Sequence, residues 1–148
     1  MRLAIGSDHA GLDLKTAIKT LLDELKVPYE DFGTGTPAAV DYPDFAEAVA
    51  TAVVEGRADL GILVCGTGIG MSIAANKIHG IRAALVWNET TARLARAHND
   101  ANIMALGGRT TPAGQVRAIV TAFLSTGYED GRHDLRLAKI ARLERKDC

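Results

Sequence analysis

The sequence predicts a single-domain α/β fold, in which a doubly wound, five-stranded parallel sheet carries helices on both faces and an extra helix at its C-terminal end. Short apolar runs alternate with longer amphipathic stretches along the whole chain of 148 residues. The apolar runs are almost continuously hydrophobic, which is typical of parallel strands buried on both faces. No linker, repeat or change of composition marks a second domain, so residues 1–148 are expected to form one unit.

The first half of the chain opens with an apolar run at residues 2–6, the first predicted strand, and continues into a helical pattern at residues 12–25. In that pattern Leu14, Ile18 and Leu21 recur on one face of a helix, together with Ala17, Leu22 and Leu25. The runs that follow predict, in order, a strand at residues 28–32, a helix at residues 45–54 and a strand at residues 60–65.

The second half continues the same alternation. It predicts a helix at residues 71–78, a strand at 82–87, a helix at 90–98, a strand at 103–107 and a helix at 113–124. A last helical pattern, residues 133–146, carries Leu135, Ala138, Ile140 and Leu143 among many basic side chains. This order of elements predicts a fold of the Rossmann-like or flavodoxin-like kind.

Composition and charge exclude several classes of function. The chain is 47% hydrophobic and 24% charged with a net charge of −1, so no overall basic field attracts nucleic acid or an anionic membrane. The apolar start at residues 1–5 is too short for a signal peptide or a membrane span. Two cysteines, Cys65 and Cys148, do not make a disulfide framework, and we expect Cys148 to be an exposed, idle thiol. A cytoplasmic location is therefore expected.

Three polar or glycine-rich segments follow predicted strands and mark the place to look for a ligand. They are residues 7–11, 65–70 and 107–109. In a parallel sheet, ligands bind in the crevice beyond the carboxyl ends of the strands. The sequence therefore predicts that these three segments lie at one edge of the sheet.

The segment that starts at Cys65 carries the strongest signal for chemistry. Glycines at positions 66, 68 and 70 allow a sharp turn that leaves N–H groups pointing outward at a helix N-terminus. Neither the dinucleotide fingerprint nor a Walker loop fits this spacing. A thiol beside a helix N-terminus is favoured as the thiolate, so Cys65 could act as a base or nucleophile. The alternative is that Cys65 is a small buried hydrophobe at a strand end.

Two further pairs are candidates for acid–base or binding roles. Asp8 and His9 follow the first predicted strand and could bind sugar hydroxyls and a phosphate, or Asp8 could simply cap a helix while His9 lies in a surface turn. His98 could be a general acid or base, whereas the alternative places it at a helix C-terminus with Asn99 as the cap.

Basic residues near the end of the chain could bind an anion. Arg132 and Arg136 are four residues apart and share a helix face, and paired guanidinium groups suit a phosphate. The alternative is a solvated basic face, because Lys139 and Arg142 belong to the same helix. No metal site is expected, since the four histidines are scattered in the sequence and no Cys/His cluster has ligand spacing.

Taken together, six motifs resemble ribose-5-phosphate isomerase type B, in a family that includes allose-6-phosphate isomerases and galactose-6-phosphate isomerase subunits. The resemblance covers residues 1 to about 140 in the same order. The motifs are Gly6-Ser7-Asp8-His9-Ala10-Gly11, Asp41-Tyr42-Pro43, Cys65-Gly66-Thr67-Gly68-Ile69-Gly70, Ala74-Ala75-Asn76-Lys77, His98-Asn99-Asp100 and Gly131-Arg132-His133.

The resemblance implies a role for each candidate in proton transfer. Cys65 would move a proton between C1 and C2 of an open-chain sugar phosphate. His98, helped by Asp8, would open the furanose ring by proton transfer to the ring oxygen. An enediolate oxyanion would be held by the Thr67 hydroxyl and the loop amides of Gly66, Thr67, Gly68, Ile69 and Gly70.

The same resemblance implies binding roles and an assembly. His9, Arg132 and Arg136 would bind the phosphate, and Tyr42 and Asn99 would contact the sugar. Members of the family are dimers or tetramers with active sites at a subunit interface, so a homodimer or homotetramer is expected. No redox cofactor or other cofactor is needed for the isomerisation.

Two features limit what the sequence settles. One branch of the family places a glutamate base directly after the glycine loop, where this chain has Met71, so the chain resembles the cysteine branch. The loops do not measure the length of the substrate, which leaves an isomerase of a six-carbon sugar phosphate open. A non-catalytic phosphosugar-binding module is a further alternative, disfavoured because a pure binder needs no acid–base pair.

Overall fold

The sheet of the computed structural model, which describes residues 1–145, consists of five parallel strands. These are β1 (Leu3–Ser7), β2 (Tyr29–Asp31), β3 (Leu60–Cys65), β4 (Ala83–Leu85) and β5 (Ile103–Gly107). Their order across the sheet is β2-β1-β3-β5-β4. The predicted fold class, a five-stranded parallel sheet with helices on both faces, is confirmed.

Six helices connect and follow the strands in residues 1–145. They are α1 (Leu12–Glu24), α2 (Tyr42–Val54), α3 (Ile69–Ala75), α4 (Glu89–Asn99), α5 (Val116–Ser125) and α6 (Asp134–Glu144). Single 3₁₀ turns at His9–Gly11, Ala113–Gln115 and Gly131–His133 lead into α1, α5 and α6.

Alternating side chains of the strands divide the core between the two faces of the sheet. Ile5, Ile62 and Val64 pack with α1, α4 and α5 on one face, while Leu63 and Cys65 pack with α2 and α3 on the other. The crossovers through α1 and α4 lead towards the β2 edge of the sheet, and those through α2 and α3 lead towards the β4 edge. Each face of the sheet therefore carries the crossovers that run in one direction. This arrangement gives all the crossover connections the same hand, as the handedness rule for parallel strands requires.

The ends of several helices and strands differ from the predicted ones, in one case because a side chain bonds to the backbone of another element. The predictions for β3 and β5 are confirmed, but the helix predicted at residues 71–78 is α3, which begins at Ile69 and ends at Ala75. It ends there because the Asn76 amide donates to the Ala83 carbonyl at 2.8 Å and accepts from the Ala83 N–H at 2.8 Å. The remaining strands shift or shorten by one to three residues, and α2 begins earlier, at Tyr42.

The last helix, α6, packs loosely on its own chain. It has no buried residue, and Leu135 and Leu143 are 64% and 60% exposed. The helix predicted to reach Lys146 ends at Glu144 within the described range, while Lys146 and Cys148 lie outside the described residues. Across the described part of the chain, no helix is long and apolar enough to cross a membrane.

One charged side chain, Lys15 of α1, is buried at 2% exposure. Its ammonium group donates to both oxygens of Asp31 at 2.8 and 3.0 Å and to the Thr34 carbonyl at 2.7 Å. The Asp31 carboxylate also accepts from Lys19 at 2.8 Å and from the Gly33 N–H at 2.9 Å. This group of side chains joins α1 to the end of β2 and to the loop that follows it.

Candidate active site

The carboxyl ends of β1, β3 and β5 lie side by side and bring the three predicted segments together. The register pairs Ser7 with Val64 and Cys65 with Gly107. Beyond the strands, the Gly108 N–H donates to the Cys65 carbonyl at 2.7 Å. The chain leaves β1 towards one edge of the sheet and β3 towards the other, so this crevice is a topological switch point, where ligands bind in such folds.

Cys65 ends β3 at the base of this crevice and is 5% exposed. The Gly68 N–H donates a hydrogen bond to its sulfur at 3.1 Å, which fixes the sulfur against the loop that follows. Gly68 has a φ of 80°, a left-handed conformation that glycine adopts without strain. The Thr67 hydroxyl oxygen accepts from the Ile69 N–H at 3.3 Å. The predicted glycine turn is therefore formed, with Cys65 and Thr67 in one loop.

Tyr42 reaches the same loop from the start of α2. A Cβ atom at Gly70 would lie 2.6 Å from Cζ of the Tyr42 ring, so only glycine lets the ring lie against the first turn of α3. Tyr42 remains 39% exposed, so part of its side chain is open to a ligand or a partner. The fold thus brings this predicted sugar contact to the cysteine loop.

Asp8 and His9 flank the crevice from β1. The Asp8 carboxylate is buried and accepts from the Gly11 N–H at 3.0 Å, so it caps the 3₁₀ turn that leads into α1, and not α1 itself as the structural alternative had it. Nδ1 of His9 accepts from the Val40 N–H at 3.2 Å, so this nitrogen carries no proton and Nε2 is the donor in the neutral ring. His9 can therefore donate one hydrogen bond to an anion without being charged.

Arg109 is a member of the site that the sequence did not single out. Its backbone N–H donates to the Gly66 carbonyl at 3.0 Å, and a Cβ atom at Gly66 would lie 3.0 Å from its guanidinium Nη1. The side chain is exposed and forms no ion pair with any residue of the described range 1–145. The segment 107–109 was predicted to face the ligand, but an isolated arginine in it has no pattern that marks it as a binder.

The other predicted site residues lie at the amino ends of the strands, on the side of the sheet opposite to the crevice. α4 runs antiparallel to the strands and delivers His98 and Asn99 to the amino end of β5, where Nε of Arg82 donates to the Asn99 carbonyl at 3.0 Å. β5 has five residues and is about 17 Å long at about 3.3 Å per residue. Within one chain, Cys65 and His98 therefore lie at opposite ends of the strands.

The helix end that carries His98 also differs from its prediction. Asn99 was predicted as a C-cap in the structural alternative, but Asp100 takes that position with a φ of 41°. Its carboxylate accepts from Arg96 at 2.8 Å and from Arg82 at 3.1 Å, which stabilises the left-handed turn. Asn99 is thus the last helical residue, and its side chain is not needed for the cap.

His98 lies in a cluster of titratable side chains that the sequence did not predict. Its ring stacks on that of His133 with centroids 4.3 Å apart and an interplanar angle of 18°. Nε2 of His98 lies 3.7 Å from a carboxylate oxygen of Glu129. Burial lowers the pKa of His133, as do the nearby positive charges of His98, Arg132 and Arg136. These two histidines are far apart in the sequence but adjacent in the fold, because the turn before α6 packs on the end of α4.

Arg132 and Arg136 border this cluster. Both are exposed, and the Arg136 guanidinium donates to the Arg132 carbonyl at 2.6 Å. Neither forms an ion pair with another of residues 1–145. We define the cysteine half-site as Asp8, His9, Tyr42, Cys65–Gly70 and Arg109, and the histidine half-site as His98, Asn99, Arg132, His133 and Arg136.

A doubly wound α/β fold with a glycine loop and a helix N-terminus at its switch point is suited to an enzyme or binding protein for a small, anionic ligand. Comparison with known proteins narrows that class. The family model Ribose/Galactose Isomerase matches residues 3–140. The chain belongs to that family, which confirms the predicted resemblance and the predicted enzyme class, an isomerase.

The similarity extends over whole chains. Ribose-5-phosphate isomerase B of Escherichia coli is 44% identical over 145 residues, which is 98% of this chain and 97% of that protein. The solved structure of Clostridium thermocellum ribose-5-phosphate isomerase B has 47% identity, a TM-score of 0.98 and full coverage of both chains. The structure of the Mycoplasma genitalium enzyme with bound ribulose-5-phosphate has 44% identity and a TM-score of 0.93, covering 98% of this chain and 97% of that one.

Proposed function

We propose that this enzyme interconverts ribose 5-phosphate and ribulose 5-phosphate, with Cys65 as the base. The position of Cys65 carries the proposal, since it ends β3 at the switch point with its sulfur against the Gly68 N–H. The similar Mycoplasma genitalium protein, which binds ribulose-5-phosphate, supports the choice of substrate.

The proposed chemistry is a proton transfer between neighbouring carbons. Cys65 removes the proton from C2 of the open-chain aldose, and the electrons of that bond form an enediolate. The proton then returns to C1, while the hydroxyl proton on the C2 oxygen passes to the C1 oxygen, so that C1 becomes an alcohol and the C2 oxygen the carbonyl of the ketose. The Thr67 hydroxyl and the loop N–H groups supply donors for the oxyanion. No electron leaves the substrate, so the reaction needs no redox cofactor.

The complete site is proposed to form between two chains. Ring opening is assigned to His98 and phosphate binding to Arg132 and Arg136, but these residues lie about a strand length away from Cys65 in their own chain. A second copy that places its histidine half-site against the cysteine half-site would supply them. His9 and Arg109 would then contact the phosphate from the cysteine side, and Asn99 would contact the sugar.

Two apolar surfaces support assembly of identical chains. Ile69 of the cysteine half-site, Ile73 of the same helix and Trp87 after β4 are 52%, 58% and 60% exposed. The exposed leucines Leu135 and Leu143 belong to α6, the helix that also carries Arg136 of the histidine half-site. Such surfaces are typical of protein interfaces. We therefore propose a homodimer, alone or within a tetramer, and a cytoplasmic location in keeping with the lack of a disulfide framework.

The experiment that tests the proposed function is a direct assay. The purified enzyme is incubated with ribose 5-phosphate, and formation of ribulose 5-phosphate is followed. Allose 6-phosphate, tested in parallel, addresses the six-carbon alternative. Turnover of neither sugar, by a protein that still binds them, would favour the non-catalytic alternative.

Mixing two inactive variants tests the shared site. Cys65→Ala and His98→Asn chains are unfolded together, refolded and assayed, with each variant refolded alone as the control. Half of the randomly assorted dimers are mixed and each has one intact site of two, so activity should return to about a quarter of the wild-type value. If each chain carries its own complete site, the mixture stays as inactive as its components.

Phosphate binding tests the assignment of the two arginines. Arg132→Ala and Arg136→Ala should each weaken inhibition by inorganic phosphate roughly ten- to a hundredfold, since a charge-assisted hydrogen bond contributes about 1.5–3 kcal/mol. The matched controls are Lys139→Ala and Arg142→Ala on the same helix. Four equal inhibition constants would mean that the helix presents only a solvated basic face.

A further inference from the structure

Three side chains at the histidine half-site offer metal ligands at a common point. His98, Glu129 and His133 each contribute one ligand atom, and these atoms all lie within 4.8 Å of one another. The three residues come from the end of α4 and from the turn before α6, so only the fold brings them together. The Glu129 N–H donates to the Ala97 carbonyl at 2.9 Å, which anchors that turn to α4.

The three side chains do not satisfy one another's hydrogen-bonding groups. The 3.7 Å between Nε2 of His98 and the Glu129 carboxylate is longer than a hydrogen bond. His133 is 7% exposed, and its Nε2 has no hydrogen-bond partner within residues 1–145. A buried polar atom without a partner is costly and needs an explanation. A cation bound among two imidazoles and a carboxylate would supply one, because two histidines and a glutamate form a known protein ligand set for Zn²⁺.

Two features of the cluster set the strength of such a site. The stacked rings are nearly parallel, so at least one must turn before both nitrogens point at one ion, and His98 can do so because its side chain is 32% exposed. Arg132 and Arg136 add positive charge beside the cluster. Both effects weaken cation binding, which favours reversible occupancy over a resident metal.

We propose that His98, Glu129 and His133 form an inhibitory site for one transition-metal dication, of which Zn²⁺ is the test case. The bound ion occupies the imidazole of His98 and removes it from proton transfer. The inhibition rests on the proposed function of His98, whereas the binding of Zn²⁺ does not. The enzyme is accordingly expected to stay active after dialysis against EDTA and to lose activity when Zn²⁺ is added.

The experiment measures Zn²⁺ binding first and activity second. Metal-free protein carrying Cys148→Ser, which removes the second thiol, competes for Zn²⁺ with a chromogenic chelator. One ion should bind per chain, and Glu129→Gln should weaken it at least about tenfold, the smallest effect expected even for an outer-shell partner. His133→Asn should do the same, and if this buried substitution prevents folding, the exposed Glu129 still provides the test.

A matched control exists in the same chain. His79 lies 3.8 Å from the Glu144 carboxylate, nearly the spacing of His98 and Glu129, but is not part of a three-ligand cluster among the described residues. His79→Asn should leave Zn²⁺ affinity and isomerase activity unchanged. Co²⁺ then reports the ligand type, because a thiolate ligand gives an intense near-ultraviolet band that histidine and carboxylate ligands lack.

The outcomes are distinct. Zn²⁺ binding that Glu129→Gln weakens, without a thiolate band, supports the site, and inhibition that weakens in parallel supports the link to His98. Absence of binding, binding that neither Glu129→Gln nor His133→Asn alters, or a thiolate band from Cys65 would overturn it. A protein that binds Zn²⁺ as expected but isomerises no sugar phosphate would instead contradict the proposed function and leave the metal site standing.

Discussion

Cys65→Ala should lower the turnover of ribose 5-phosphate at least ~10²-fold, the lower range for loss of a general acid–base group, while the protein should remain folded. The glutamate base of the other branch of the family would stand at position 71, where this chain has Met71, which cannot take a proton. No other candidate base belongs to the glycine loop. Removing one buried sulfur atom should cost about 1 kcal/mol of stability, on the scale of other small core deletions.

The measurement is kcat together with a thermal unfolding curve. Inhibition by inorganic phosphate should stay near its wild-type value, because the phosphate is held by other groups. Cys148→Ala is the matched control and should keep full turnover. An alanine variant at position 65 that keeps near-wild-type turnover would rule out the cysteine mechanism.

Asp31→Asn should destabilise the protein by about 2–3 kcal/mol, below the ~3–5 kcal/mol typical of breaking a fully buried ion pair because the Asp31 side chain is 22% exposed. The buried ammonium of Lys15 would lose its charged partner and keep only the Thr34 carbonyl and the neutral amide. The free energy of unfolding in urea measures the loss. Asp23→Asn should change stability by less than about 0.5 kcal/mol, because within residues 1–145 its carboxylate accepts a single long hydrogen bond, from the Tyr29 hydroxyl at 3.4 Å.

The pH dependence has a definite sign. Burial alone would raise the pKa of Asp31, but hydrogen bonds from Lys15, Lys19 and the Gly33 N–H outweigh it and lower the pKa below its ordinary value. A carboxyl group whose pKa is lower in the folded state than in the unfolded state stabilises the protein at pH values above its unfolded-state pKa. That stabilisation is lost as the pH falls through the folded-state pKa. The difference between wild type and Asp31→Asn should therefore be constant near neutrality and shrink below about pH 4. A difference that grows on acidification would contradict this account.

The local hydrophobic pattern was sufficient to predict two central strands of the sheet. β3 and β5 are continuous apolar runs that end in glycine-rich segments, and both were predicted with correct bounds. The helix predicted at residues 71–78 was placed too far along the chain because the amide of Asn76 bonds to the backbone of Ala83, an interaction between residues seven apart that no periodicity reports. Boundaries set by a side chain from another element are not readable from the segment itself.

The candidate site was predictable where its residues are adjacent in the chain. The loop from Cys65 to Gly70 is a local motif, and the edge of the sheet that holds it follows from strand order. Arg109 depends on a contact with Gly66 across two loops, and the stacking of His98 on His133 joins residues 35 positions apart. Lys15 resembled an ordinary polar residue of an amphipathic helix, because its partner Asp31 belongs to another element.

The separation of the two half-sites by the length of a strand has a thermodynamic consequence. A sugar phosphate that contacts both Cys65 and His98 must contact two chains at once, so its binding energy is also association energy. By linkage, substrate should tighten the dimer by the same factor by which dimerisation tightens substrate binding. On dilution, specific activity should therefore fall at low substrate concentration and recover at saturation, which makes subunit exchange itself sensitive to the metabolite.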